Sequence, residues 1–350
     1  MPRSRRSSAS AAGAEAVKFG ILASHQFPRD SSAARGIAET IEFVRTARDL
    51  GYDSVFTINH FLGNLLTPQT ISMTARLIDH SGSMTLGTGI LILPLFHPVH
   101  VAEEFATLDQ LSGGRIVLGV GTGYRKEEFD SFQVDHETRG GRLGEGVRLI
   151  RRLWSDERVD FEGKFYTVQG KRIGVPPLQP GGPKIWIGAG ARPAIERAAK
   201  IGDAWFTPGN SPSPEYLPKH VRIYDDALRA AGKPVEGIER PIIKEMFVHP
   251  DGDYARQLAL EYLGREYAAY GEYEALDWFK SRWHELVENS LIVGDPDTVV
   301  AKVRAVAAHG FNHFVFRSFW GGMPIALAQE CLRTFAEQVR PRLLAAGVAA

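Results

Sequence analysis

Cysteine is nearly absent. Cys331 is the single one among 350 residues, so no internal disulfide can form and a cross-linked secreted scaffold is excluded. Net charge is absent too: 41 basic residues against 41 acidic ones leave a formal charge of zero. That balance removes the counterion release on which nucleic-acid binders depend and leaves no polybasic patch for an anionic membrane. No apolar run reaches the ~18 residues needed to span a bilayer. Residues 1–16 are rich in Arg, Ser and Ala but lack the apolar stretch of a secretory signal. They read as a disordered leader ahead of one domain over 17–350, and a cytoplasmic location is expected. Also missing are the paired carboxylates of a glycosidase and the Gly-x-Ser-x-Gly elbow of a serine hydrolase. His97, His100, Glu103 and Glu104 have a metal-like spacing, but they open the helix that begins at Pro98 and read as capping or packing, so no metal site is expected.

What is present is ordinary globular composition, 44% hydrophobic and 23% charged, and a recurring unit. An amphipathic helix, a Gly-centred turn and a short apolar strand follow one another around Gly51, Gly82, Gly113, Gly202 and Gly310. Each glycine falls where a helix ends and a left-handed residue is wanted. Ile37, Ile41, Val44 and Ala47 keep helical spacing, as do Val299, Val303 and Val306. The strands are apolar throughout, which fits parallel strands covered on both faces. Strands are expected at Val17–Leu22, Ser54–Thr57, Met84–Leu93, Ile116–Gly119, Lys184–Ile187, Ala204–Phe206, Ile242–Val248 and His313–Phe316. Such an order fits a (β/α)8 TIM barrel. Two stretches break the rhythm. Residues 155–183 read as an inserted hairpin and loop, and 253–291 as inserted helices carrying Tyr262, Tyr267, Tyr270, Tyr273, Trp278, Phe279 and Trp283.

In a barrel the residues just after each strand gather at one mouth. Here they are His25 after the first strand, Asn59, His60 and Phe61 after the second, and Thr122, Gly123 and Tyr124 after the fourth. Gly188, Ala189, Gly190, Ala191 and Arg192 follow the fifth strand, and Arg317 and Trp320 the eighth. The glycine-rich run from Gly188 to Arg192 leads into a helix N-terminus. It reads either as a cup for a phosphate, favoured by backbone N–H groups and the helix dipole, or as a tight turn with a solvated arginine. Gly119, Gly121 and Gly123 imitate a dinucleotide fingerprint, but the third glycine comes one residue early.

The ordered runs Gly51-Tyr52-Asp53-Ser54-Val55-Phe56, Asn59-His60-Phe61, Leu86-Gly87-Thr88-Gly89-Ile90, His97-Pro98-Val99, Ala106 to Arg115, Leu118 to Tyr124 and Gly202-Asp203-Ala204-Trp205 together resemble the bacterial luciferase-like monooxygenases. These are (β/α)8 enzymes that use reduced FMN or the deazaflavin coenzyme F420. The resemblance runs from Val17 to Arg340. It implies a non-prolyl cis peptide at Gly89-Ile90 behind the flavin ring, a phosphate cup at Gly188 to Arg192, and ring contacts from Thr122, Gly123 and Tyr124. It further implies an imidazole, His60, near the reactive edge. Asn59 stands where many relatives have Asp and the luciferases proper have their catalytic histidine. Arg317 and Trp320 match a strand ending that faces the pocket, with His25 and Phe61 beside it, and Arg317 is expected to meet a substrate carbonyl or carboxylate.

From the resemblance we expect an oxidoreductase, and first of all an FMN-dependent monooxygenase. In that reading reduced FMN comes from a separate NAD(P)H:flavin reductase and reacts with O2 to oxygenate a small organic substrate. An F420-dependent hydride-transfer enzyme is the alternative, and a non-catalytic member of the family the second alternative. Deazaflavin-dependent sugar-phosphate dehydrogenases carry a glutamate proton donor where Tyr124 stands, so that activity is not expected. Relatives imply a homodimer.

Overall fold

Eight parallel strands close on themselves in the computed structural model, which describes residues 17–24, 26–270 and 282–345. They are β1 (Lys18–Ala23), β2 (Ser54–Thr57), β3 (Thr85–Thr88) continued by the two-residue β4 (Leu91–Ile92), β5 (Ile116–Gly121), β8 (Lys184–Gly188), β9 (Ala204–Pro208), β10 (Pro241–Val248) and β12 (His313–Arg317). Neighbours pair in the order β12, β1, β2, β3, β5, β8, β9, β10, and β10 returns to β12 to complete the ring. The protein is therefore a TIM barrel, with helices around it.

Local chemistry accounts for the alternation. Helix α1 (Ala33–Asp49) starts at Ser32, whose hydroxyl accepts from the Arg35 N–H, and buries Thr40, Ile41, Phe43, Val44 and Ala47 against the barrel. The helix at Pro98–Ser112 starts at His97, whose Nδ1 accepts from the Val99 N–H, and ends at Gly113 with φ 70°. Gly51, Gly82 and Gly310 likewise have positive φ. Gly202 does not: its φ is −86°. Glycine is required there because an added Cβ would lie 2.8 Å from the Ala198 carbonyl oxygen.

The lumen is closed below the mouth by a ring cluster. Phe56 stacks on Trp186 at 5.2 Å between centroids and meets Phe206 at 5.1 Å, with Leu22, Val117 and Val315 around them. This apolar plug is the floor on which the site stands.

The expected third strand, Met84–Leu93, is interrupted: β3 stops at Thr88, the Gly89-Ile90 peptide is cis, and β4 resumes pairing with β5. Within 155–183, β6 (Val159–Glu162) and β7 (Thr167–Lys171) form an antiparallel hairpin. Past β10 the chain runs through helical segments at 252–270 and Trp283–Asn289 to an unanticipated strand, β11 (Ile292–Gly294), which pairs with the outer end of β10. The expected leader, His25, Tyr273, Trp278 and Phe279 lie outside the described residues. No helix among the described residues is long and apolar enough to cross a membrane.

Candidate active site

The ends of β2, β3, β5, β8, β9, β10 and β12 open into one cavity of about 490 Å³. Its wall unites Asn59, His60, Gly89, Ile90, Thr122, Gly123, Tyr124, Gly188, Ala189, Gly190, Ala191 and Arg317, residues scattered over the whole sequence. Leu22, Ile58, Ile92, Phe206 and Ile243 make it largely apolar.

The glycines of β5 serve this wall. A Cβ on Gly119 would fall 1.8 Å from the Thr88 carbonyl oxygen, so β3 and β5 can approach only with glycine there. The side chain of Ile90 packs where Gly121 and Gly188 lack one, leaving its flank as a platform. Gly123 has φ 71°, a left-handed conformation. Close packing and turn geometry thus account for the Gly119-x-Gly121-x-Gly123 run, and no dinucleotide fingerprint is needed.

Asn59 is buried, and both ends of its amide are engaged. Its Oδ1 accepts from the Ile92 N–H at 3.1 Å and its Nδ2 donates to Gln69 Oε1 at 3.3 Å. It ties the end of β2 to the strand just past the cis peptide. An amide so placed has no proton to exchange, and its work is to hold the bulge. His60 lies beside it, with Nδ1 3.3 Å from Glu128 Oε1 on the short helix Lys126–Ser131. A carboxylate oxygen only accepts, so Nδ1 carries the hydrogen and Nε2 is the basic nitrogen. The same Oε1 accepts from the Phe61 N–H at 2.8 Å, and Arg125 approaches it at 3.8 Å. Burial lowers the His60 pKa below the ordinary imidazole value, against the opposing pull of Glu128. His60 is therefore neutral near pH 7.

Across the mouth, Arg317 is locked in a buried ion cluster. Its Nε donates to Glu245 at 2.8 and 2.9 Å, its Nη2 lies 2.7 Å from Glu245, and its Nη1 donates to Glu266. Glu245 also accepts from Tyr267 Oη at 2.9 Å and from Trp320 Nε1 at 2.8 Å. The two carboxylates hold the Arg317 pKa well above its ordinary value despite burial. Arg317 therefore does not stand open for a substrate carboxylate, because two acidic groups already neutralise it.

Three expected contacts are placed elsewhere. Trp320 is buried behind Glu245 and does not line the cavity. Phe61 packs on Phe96 and Phe132, with ring centroids 5.8 and 4.6 Å away. Arg192 points to solvent and pairs with Glu196, so only the backbone turn from Gly188 to Ala191 faces the cavity. His97 serves as a helix cap, and among the described residues no His, Cys, Asp and Glu cluster is placed to hold a metal.

Glu128, Glu245 and Glu266 are the site groups the sequence did not yield. For Glu245 a signal existed: Lys244 and Glu245 are charged residues inside the otherwise apolar run from Pro241 to Val248. In a strand covered on both faces, such a pair must be partnered. Glu128 and Glu266 sit in polar helical stretches that look like solvated faces.

The luciferase-like monooxygenase family model matches residues 17–313, and the chain belongs to that family. An F420-dependent glucose-6-phosphate dehydrogenase of Nakamurella multipartita is 29% identical, with 94% of this chain and 97% of the relative covered. The enzyme of the same name from Amycolatopsis mediterranei is 27% identical over 89% of this chain and 96% of its own. Among solved structures, the monooxygenase RslO1 from Streptomyces bottropensis superposes with a TM-score of 0.83 at 26% identity, covering 93% and 99% of the two chains. The chain is an oxidoreductase. The expectation that FMN and oxygen come first is corrected by the curated relatives, whose names are those of F420-dependent dehydrogenases.

Proposed function

We propose, from the chain's membership of this family and the site just described, that it is an F420-dependent oxidoreductase. It would move a hydride between the deazaflavin and a small organic substrate. The observation that carries this reading is the single cavity in which His60, braced by Glu128, faces the Ile90 platform and the Gly188–Ala191 turn. The residues fit a flat tricyclic cofactor. The walls are apolar, and Gly121 and Gly188 make room for Ile90 beneath a ring. The Gly188–Ala191 turn leads into the helix Arg192–Ile201, whose first residue is preceded by Ala191, a side chain unable to cap it. Its N-terminal dipole suits a phosphate.

When bound, F420 supplies a two-electron hydride acceptor and does not activate oxygen. The protein supplies position and proton transfer. His60, neutral with Nε2 as its basic nitrogen, takes the proton of a substrate hydroxyl, and Glu128 stabilises the imidazolium that results. Asn59 holds the backbone at Ile92, so the platform keeps its place. The apolar wall excludes water from the reacting atoms.

Titration of the purified chain with F420 and separately with FMN, followed by cofactor fluorescence, tests the reading. Saturable F420 binding with weaker FMN binding is expected. Tight FMN binding without F420 binding would overturn it.

A further inference from the structure

Around the barrel from the turn after β8, past β9 and β10, the wall changes character at β12. Arg317 is the only cationic side chain among the described residues lining the cavity, and it faces two carboxylates. Glu245, Glu266 and Arg317 are all at least nine-tenths buried, so water screens their charges poorly. One positive and two negative groups leave the cluster with a net charge of −1. By donor count, Arg317 has five N–H hydrogens, of which Nε–H and one on Nη1 donate to the carboxylates, while Nη2 lies 2.7 Å from Glu245 in the ion pair. Two N–H hydrogens remain. This end of the cavity therefore offers hydrogen-bond donors inside a negative field. A neutral oxygen can accept from such a group, while a carboxylate or phosphate would add negative charge beside two buried carboxylates.

We infer that the Glu245–Arg317–Glu266 cluster selects an uncharged, hydroxyl- or carbonyl-bearing substrate with an apolar body and rejects anionic ones, sugar phosphates included. This rests on the hydride-transfer reading of the same site. The apolar side chains of Ile58, Phe206 and Ile243 complete the pocket for such a guest. Oxidation of such an alcohol breaks one C–H and one O–H bond. The hydride passes to F420, the proton passes to His60 Nε2, and a ketone or aldehyde remains.

The test uses the full chain with F420, after fluorescence titration has shown that the cofactor binds; absence of that binding would sink the hydride-transfer reading itself. Reduction of F420 is then followed with primary, secondary and cyclic alcohols and with glucose 6-phosphate. Cyclohexanecarboxylate and inorganic phosphate are tried as inhibitors. Turnover of neutral alcohols is expected, with cyclohexanecarboxylate binding at least about tenfold more weakly than cyclohexanol at pH 7.5. Glu266→Gln, which removes one negative charge, should narrow that gap. Three results would overturn the inference: glucose 6-phosphate used as well as the best alcohol, cyclohexanecarboxylate binding as tightly as cyclohexanol, or no turnover of any neutral alcohol by the F420-loaded chain. The comparison of ligands on the unaltered chain decides the matter even where the variant fails to fold.

Discussion

The side chain of Ile90 fills the space that a side chain on Gly121 would need, its Cδ1 lying 2.7 Å from the position of an added Cβ. Ile90 is pressed on the other flank as well, 3.0 Å from the corresponding point on Gly188. It cannot yield toward one strand without striking the other, so it would be pushed into the cavity. Gly121→Ala is expected to raise the dissociation constant for F420 at least about tenfold and, since overpacking of this size costs ~1–3 kcal/mol, to lower the melting temperature by a few degrees without preventing folding. Gly119→Ala should differ: its Cβ would meet a backbone oxygen at 1.8 Å, and loss of soluble, folded protein is expected. Fluorescence titration and thermal melts of both variants separate the two effects.

Glu128 acts on the reaction only through His60, so its signature is a pH profile. Burial already lowers the His60 pKa, and Glu128 is the group that raises it. A neutral imidazole is the working form, so the rate falls as pH drops through the His60 pKa, which lies below the ordinary ~6.5. Glu128→Gln keeps the acceptor for the Phe61 N–H but removes the charge that favours imidazolium. The acid limb of kcat/KM should move to lower pH and kcat should fall roughly tenfold, with little change in F420 affinity. An unmoved limb would show that the carboxylate only braces the loop.

How far the molecule could be read in advance depended on how local the physics was. The barrel strands were legible because each is an apolar run next to a glycine or polar turn, a pattern that needs no partner to be seen. The strand β11 was not, because three residues carry no periodicity and its existence depends on the stretch Met246 to Val248 of β10, which extends past the pairing with β9 and β12. Gly202 marked the right boundary for the wrong reason: the constraint is an approaching carbonyl and not a positive φ. His60 was legible from the family's ordered runs, and the Gly188–Ala191 turn from its glycines between a strand and a helix. Arg317 was expected to meet a substrate carbonyl or carboxylate, but the charge that a carboxylate would need is already claimed by Glu245 and by Glu266, 51 residues away, a pairing that only the folded chain creates.

Lys244 and Glu245 are adjacent on β10 and serve opposite sides of it. Lys244 is buried and donates to the Gly209 carbonyl at 2.6 Å, the Ser290 carbonyl at 3.0 Å and the Ser290 hydroxyl at 3.3 Å. Burial, with Lys302 nearby, brings its pKa down to about 7. In the unfolded chain it titrates near ~10.4, so between those values the unfolded state binds more protons and stability rises with pH. Below about pH 7 both states are protonated and the contribution is flat. Wild type should therefore gain on Lys244→Met between pH 7 and 9, by up to ~1.4 kcal/mol per pH unit. The variant should also be less stable at every pH because the buried hydrogen bonds of Lys244 to Gly209 and Ser290 are lost, leaving the Ser290 carbonyl without that donor. Urea unfolding of both proteins at several pH values measures the difference, and parallel curves would refute the assignment.

The hairpin of β6 and β7 depends on a carboxylate outside it. Glu145, buried in the helix Arg139–Ser155, accepts from the Lys164 N–H at 3.0 Å and from the Phe165 and Tyr166 N–H groups at 2.8 Å each. Three backbone donors at the hairpin turn thus converge on one side chain, and bonds to a charged acceptor contribute about 1.5–3 kcal/mol apiece in favourable cases. They are not additive, because removing the carboxylate also frees the helix from burying a charge. Glu145→Ala is expected to lower stability by ~2–4 kcal/mol. Hydrogen exchange locates the effect: the amides of Lys164, Phe165 and Tyr166 should lose protection in Glu145→Ala while those of β5 and β8 keep theirs. Because Tyr166 packs edge-on against His97 at the start of the helix Pro98–Ser112, exchange should also quicken at Val99. Uniform loss of protection across the barrel would instead mean that the hairpin and barrel unfold as one unit.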